Sequence, residues 1–127
     1  MLAFLVLFWS APFNPAVLTV PVAYAQEIDA KSEWIDALAD CESTSSTTIK
    51  ILDTNGYYSY GLLMFQQSTW LSYGKKFGAT KENIFDGELQ RKVARSMLDA
   101  GGQDHWYNCN KKLELKIGKY PLDSFRE

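Results

Sequence analysis

At 127 residues, with 46% hydrophobic and 14% aromatic content, the chain is long enough for one domain and too short for a second core. Thirteen basic and fifteen acidic side chains leave a net charge of −2, which excludes a strongly basic nucleic-acid binder, and the apolar content excludes a wholly disordered chain. Four Trp, seven Tyr and seven Phe suffice for a tight core or for a groove lined for sugars or peptides.

Met1 to Ala25 contains no Asp, Glu, Lys or Arg. Leu2 to Trp9 is an unbroken small-and-apolar run, Ala23-Tyr24-Ala25 offers small residues at both positions a signal peptidase reads, and Gln26-Glu27 begins a polar region. This pattern predicts an export signal, residues 1–25, cut after Ala25, although no Lys or Arg precedes the apolar run. Pro12, Pro15 and Pro21 break the stretch, against a retained anchor, which needs about 20 consecutive apolar residues. No stable membrane association is expected after cleavage. Residues 26–127 then form a single exported domain, with Cys41 and Cys109 as its two cysteines. An even count after an export signal predicts a disulfide, worth about 4 kcal/mol on loop-entropy grounds. These cysteines and His105 lack any metal-ligand spacing, so no metal or other cofactor is expected.

Along that domain, Trp34, Ile35, Leu38 and Cys41 recur at helical spacing and predict a first helix over about Asp29 to Glu42. The hydroxyl run Ser43 to Thr48 favours leaving the helix. Ile49 to Leu52 and Tyr57 to Tyr60 are β-prone, and Asn55-Gly56 between them predicts a hairpin turn whose two residues tolerate positive φ. Trp70, Tyr73 and Phe77 mark a second helix from about Ser68, closed by Gly78. Asp86 is placed to cap a third helix with Leu89, Val93 and Met97 on one stripe and Gly101-Gly102 as its stop. Asp104 is expected to cap a fourth helix carrying Trp106, Cys109 and Leu113, and Leu115 to Glu127 is a mixed tail. The predicted class is α+β, predominantly α, with a small antiparallel hairpin between helices.

Glu42 stands at the end of the first helix. The partial negative charge of a helix C-terminus disfavours an ionised carboxylate there, and apolar neighbours would disfavour it further. A carboxyl with a raised pKa is a proton donor at neutral pH. Asp53 is the nearest other acid; it is either a turn-starting residue bonded to its own backbone or a carboxylate on a groove wall. Asp53-Thr54-Asn55-Gly56 is not a calcium loop, because Met64 occupies the twelfth position where Glu is needed.

The order of these pieces resembles the lysozyme superfamily, and most closely its lysozyme-like lytic transglycosylase domains. The residues that carry the likeness are Glu42-Ser43, the hydroxyl-rich loop, the hairpin, Ser59-Tyr60-Gly61-Leu62-Leu63, and Trp106-Tyr107-Asn108-Cys109. The resemblance implies a lysozyme-like fold and cleavage of the β-1,4 bond between N-acetylmuramic acid and N-acetylglucosamine. Glu42 would be the catalytic residue, with Ser59, Tyr60, Gln66 and Asp53 toward the substrate and no nucleic-acid partner. Two positions depart from the pattern. Met64 stands where the family usually has Gln, a loss Gln66 would make good from the same face of a strand, and Ser59 stands where animal-type lysozymes carry Asp. A retaining glycosidase needs a second carboxylate about 5 Å from the first. Its absence at position 59 favours the lytic route over a hydrolytic lysozyme, while Ser59 and Met64 also point to an alternative, a catalytically impaired glycan-binding module of the same fold, against which Glu42 and Ser43 stand. Tyr60 is the expected groove aromatic, Trp70 and Trp106 the expected core residues, and His105 an expected surface residue. Lys75-Lys76, Arg91-Lys92 and Lys111-Lys112 are solvated faces or contacts to anionic wall polymer. A monomer is expected.

Overall fold

The computed structural model describes residues 22–122. Residues 1–21 of the expected leader lie outside them, and Val22 to Ala25 open the first helix. Helix α1, Val22–Ser43, buries Trp34, Ile35, Leu38 and Ala39, a stripe at positions i, i+1, i+4 and i+5. Thr44 (φ 52°) and Ser45 (φ 60°) then turn the chain through the left-handed region without a glycine. No helix among the described residues is long and apolar enough to cross a membrane.

Three short antiparallel strands follow: β1 (Lys50–Leu52), β2 (Tyr58–Tyr60) and β3 (Phe65–Gln66), in the order β1-β2-β3. The first hairpin forms where Asn55-Gly56 predicts it, but with different geometry. Asp53 N–H donates to Tyr57 O (2.9 Å) and Gly56 N–H to Asp53 O (3.0 Å), and only Gly56 (φ 87°) is left-handed. This is a three-residue loop closed by a glycine bulge, not a two-residue turn with both residues at positive φ. Asn55 instead accepts from Tyr57 N–H through its side chain (3.1 Å).

Between β2 and β3 the chain turns over Gly61 to Met64, with Gly61 at φ 74° and Met64 at φ 53°. Met64 therefore does not share a strand with Gln66, and the expected substitution of one for the other on a common face does not occur. Gln90, fully buried, holds this turn. Its Oε1 accepts from Leu63 N–H (2.7 Å), and its Nε2 donates to the carbonyls of Tyr60 (2.9 Å) and Ile84. A Cβ on Gly61 would stand 2.7 Å from that Nε2, so the position excludes a side chain on both conformational and steric grounds.

Helix α2 (Gln67–Gly74) passes into a 3-10 turn, Lys75–Phe77, closed by left-handed Gly78. Helix α3 (Gly87–Asp99) starts at Asp86, whose side chain accepts from Leu89 N–H as expected. The buried positions are Gln90, Val93, Ala94, Met97 and Leu98, so the inward face includes a polar residue. Asp104 does not cap α4: it lies inside a 3-10 turn, Gln103–Trp106, and α4 (Tyr107–Lys116) begins without a side-chain cap.

Aromatic side chains join the layers. Phe65 packs edge-on to Trp106 (5.6 Å between centroids) and tilted to Trp70 (5.2 Å). The indole N–H groups of three buried tryptophans are all satisfied: Trp34 donates to Gly118 O (3.0 Å), Trp70 to Thr80 O (2.8 Å) and Trp106 to Leu63 O (2.8 Å). The tail expectation is met in part by Tyr120, which is buried against Trp34. Lys31, also buried, pairs with Asp99 (3.1 Å). The whole is α+β, predominantly α.

Candidate active site

The last turn of α1 and the first turn of α4 are held together by the disulfide between Cys41 and Cys109, whose Cα atoms are 5.9 Å apart. The bridge stands one residue before Glu42 and fixes where that side chain emerges. On the other side, Ser43 turns inward: its Oγ donates to Leu62 O (2.7 Å) and accepts from Ser46 N–H (3.1 Å). Glu42 is thus pinned through both chain neighbours while its own carboxyl remains free. Among the described residues, no ion pair or hydrogen bond engages that carboxyl.

Glu42 opens into a cavity of about 510 Å³. One wall is the sheet and the start of α2, with Asp53, Ser59, Met64, Gln66 and Thr69; the other is the segment from Asp104 to Cys109. Burial pushes the Glu42 carboxyl up from 4.5 to about 7, and the negative charge of Asp53 adds to the rise, while the Lys112 ammonium opposes it. Near neutral pH a substantial part of the group therefore keeps its proton, the condition for donating it.

The structure places the five expected site residues unequally. Asp53, Ser59 and Gln66 share the Glu42 cavity. Ser59 and Gln66 are cross-strand neighbours in register, and both donate to the same oxygen, Asp53 Oδ2: Ser59 through its hydroxyl and Gln66 through Nε2 (2.8 Å). Gln66 also exchanges two amide hydrogen bonds with Asn55 (3.1 and 3.2 Å). Ser59 and Gln66 thus hold a carboxylate in place rather than standing as free hydrogen-bonding groups. A carboxylate carried on the turn at position 53 reaches the hydroxyl at position 59, where the chain lacks an acid of its own.

Tyr60 does not line this cavity. Side chains alternate along β2, so Ser59 faces Glu42 and Tyr60 faces away, packed edge-on to Phe85 (5.6 Å). It lines a separate cavity with Tyr57 and Tyr58, where Gln66 is a shared wall. Trp106 is both core residue and cavity wall. His105 is exposed as expected, and it also lines the cavity. Thr69, Asp104, Tyr107 and Asn108 are cavity residues outside the expected set; for Asp104, Tyr107 and Asn108 the one signal was proximity to Cys109, since the bridge carries the start of α4 to Glu42, and Thr69, on α2, had none.

Residues 29–109 match the family model described as a transglycosylase-like domain. No curated protein and no solved structure matches the chain significantly.

Proposed function

The chain belongs to the transglycosylase-like domain family, and on that premise we propose that it cleaves the glycan strands of peptidoglycan at the β-1,4 bond between N-acetylmuramic acid and N-acetylglucosamine, with Glu42 as the acid. The observation that carries the reading is a carboxyl raised to about 7, free of any cation partner among the described residues and lining a cavity. Neutral Glu42 donates its proton to the glycosidic oxygen as the bond to the muramic acid C1 breaks. The substrate's 2-acetamido oxygen stabilises the positive C1. Glu42, now a carboxylate, takes the proton of the C6 hydroxyl, and that oxygen closes on C1 to give a 1,6-anhydro ring. A group that gives and then regains one proton works best with a pKa near the working pH.

Asp53 favours a second reading, hydrolysis. It lies on the Glu42 cavity, close enough for its charge to raise the Glu42 pKa, and is oriented by two donors. A carboxylate so placed suits stabilisation of C1 or orientation of a water. The disulfide and the substrate class fit an exported protein, and we read the domain as a monomer without a cofactor.

Digestion of purified peptidoglycan tests these readings. Glu42→Gln is expected to abolish release of soluble fragments while the far-UV circular dichroism is retained. Full activity in that variant overturns the assignment of the acid. Mass spectrometry of the products separates the routes, because the anhydro ends of the lytic route lack the water that hydrolysis adds.

A further inference from the structure

We propose that the cleavage cavity continues past His105 into a cationic basin that takes the carboxylates of the peptide stems borne by the glycan strand; this rests on the peptidoglycan reading above. His105 lines both cavities, its ring edge-on to Tyr73 (5.1 Å) on one side and to Trp106 (6.1 Å) on the other. The second cavity, about 790 Å³, lies between the end of α2 with its 3-10 turn and the C-terminal end of α3. The two spaces differ in charge. Glu42, Asp53 and Asp104 line the first, whereas Lys75 and Lys76 line the second and no carboxylate does. Neither lysine forms an ion pair among the described residues. Its lining includes the small residues Ala100, Gly101 and Gly102, and Ser72 and Ser96 add neutral hydrogen-bonding groups.

A strand threaded through both spaces meets acids where a neutral glycosidic bond must be protonated and cations next door. The sugar rings carry no charge that two ammonium groups would recognise. The stems, attached through the lactyl group of muramic acid, carry free carboxylates. Two exposed lysine–carboxylate pairs contribute a modest preference, about 3- to 10-fold in affinity at low salt. They select stem-bearing strands over uncharged ones without holding the product tightly.

Binding tests this apart from catalysis. In the Glu42→Gln background, which leaves strands uncut, titrate muramyl tetrasaccharides with free stem carboxylates and the same compounds with those carboxylates converted to methyl amides. The acid form is expected to bind about 3- to 10-fold more tightly at low salt. In Lys75→Gln/Lys76→Gln, with its urea midpoint checked for folding, the ratio is expected to fall to about one. Equal affinities in the Glu42→Gln protein, or an unchanged ratio in the lysine variant, overturn the proposal. Affinity that instead follows the phosphate content of added wall polymer also overturns it. A protein that binds with the expected preference but, with Glu42 restored, cuts nothing would sink the enzymatic reading and leave the basin standing.

Discussion

The hydroxyl of Ser43 donates to the carbonyl of Leu62 at 2.7 Å, so the residue beside the candidate acid ties the end of α1 to the turn between β2 and β3. That turn leads directly into Phe65 and Gln66 on the cavity wall. The same oxygen accepts from Ser46 N–H and so shapes the exit from the helix. Ser43→Ala leaves the buried Leu62 carbonyl unpaired and is expected to cost about 1–2 kcal/mol of stability by urea titration, with a fall in activity on peptidoglycan. An unchanged midpoint would show the contact to be dispensable.

In the proposed mechanism, the pH dependence of cleavage follows from Glu42. Only its neutral form donates a proton, so kcat/KM is expected to fall about tenfold per pH unit above about 7. Asp53→Asn removes a neighbouring negative charge that helps hold the proton on. Its alkaline limb should move to lower pH. A limb that stays in place would show that burial alone sets the value.

Stability should carry the opposite mark of the same shift. A carboxyl whose folded pKa is raised above its unfolded value binds its proton more tightly when folded. It therefore removes stability as pH rises from 4.5 through about 7, with the full loss present above that range. Glu42→Gln cannot ionise. Its melting temperature should match that of the wild type near pH 4 and exceed it at pH 8, by about 1–2 kcal/mol in free energy after discounting for solvent screening. Thermal melts across that range check the crossover.

Thr44 and Ser45 adopt left-handed backbone conformations that cost non-glycine residues about 1–2 kcal/mol each. Replacing both by glycine relieves that strain and adds back some unfolded-state entropy. The double variant is expected to gain about 1 kcal/mol by chemical denaturation. A loss would mean that the Thr44 hydroxyl, which bonds Ser43 O, outweighs the backbone term.

Gln90→Leu keeps the approximate volume and strips the partners from Leu63 N–H and from the Tyr60 and Ile84 carbonyls. We expect a loss of about 3 kcal/mol and a fall of at least about 10 °C in melting temperature. Differential scanning calorimetry measures both.

Much of this architecture is legible in local chemistry. The stripe of α1, the Asp86 cap and the Gly78 stop each rest on interactions within a few residues, and the disulfide follows from two cysteines after an apolar leader-like run. The site is harder. Glu42 can be singled out because it stands at a helix end before a hydroxyl run, but its free carboxyl and its cavity depend on distant segments. Gln90 looks like a surface residue of an amphipathic helix; only the packed fold shows that backbone groups of β2, of the turn after it and of the segment before α3 converge on it. Met64 in a left-handed turn has no sequence signal, since that conformation usually announces itself by glycine. The partnership of Asp53 with Ser59 depends on hairpin register, and the loop length that sets it is three residues where Asn-Gly suggests two.

The bond between Cys41 and Cys109 spans the seam where the acid's helix meets the facing wall. Thiols stay separate in a reducing cytosol and join in an oxidising compartment. If the chain is exported as proposed, it lacks the clamp that sets the opening beneath Glu42 when newly made and acquires it only after leaving the cytosol. In the proposed role, oxidation would act as a safety catch that sets the cleft only in the compartment of its substrate.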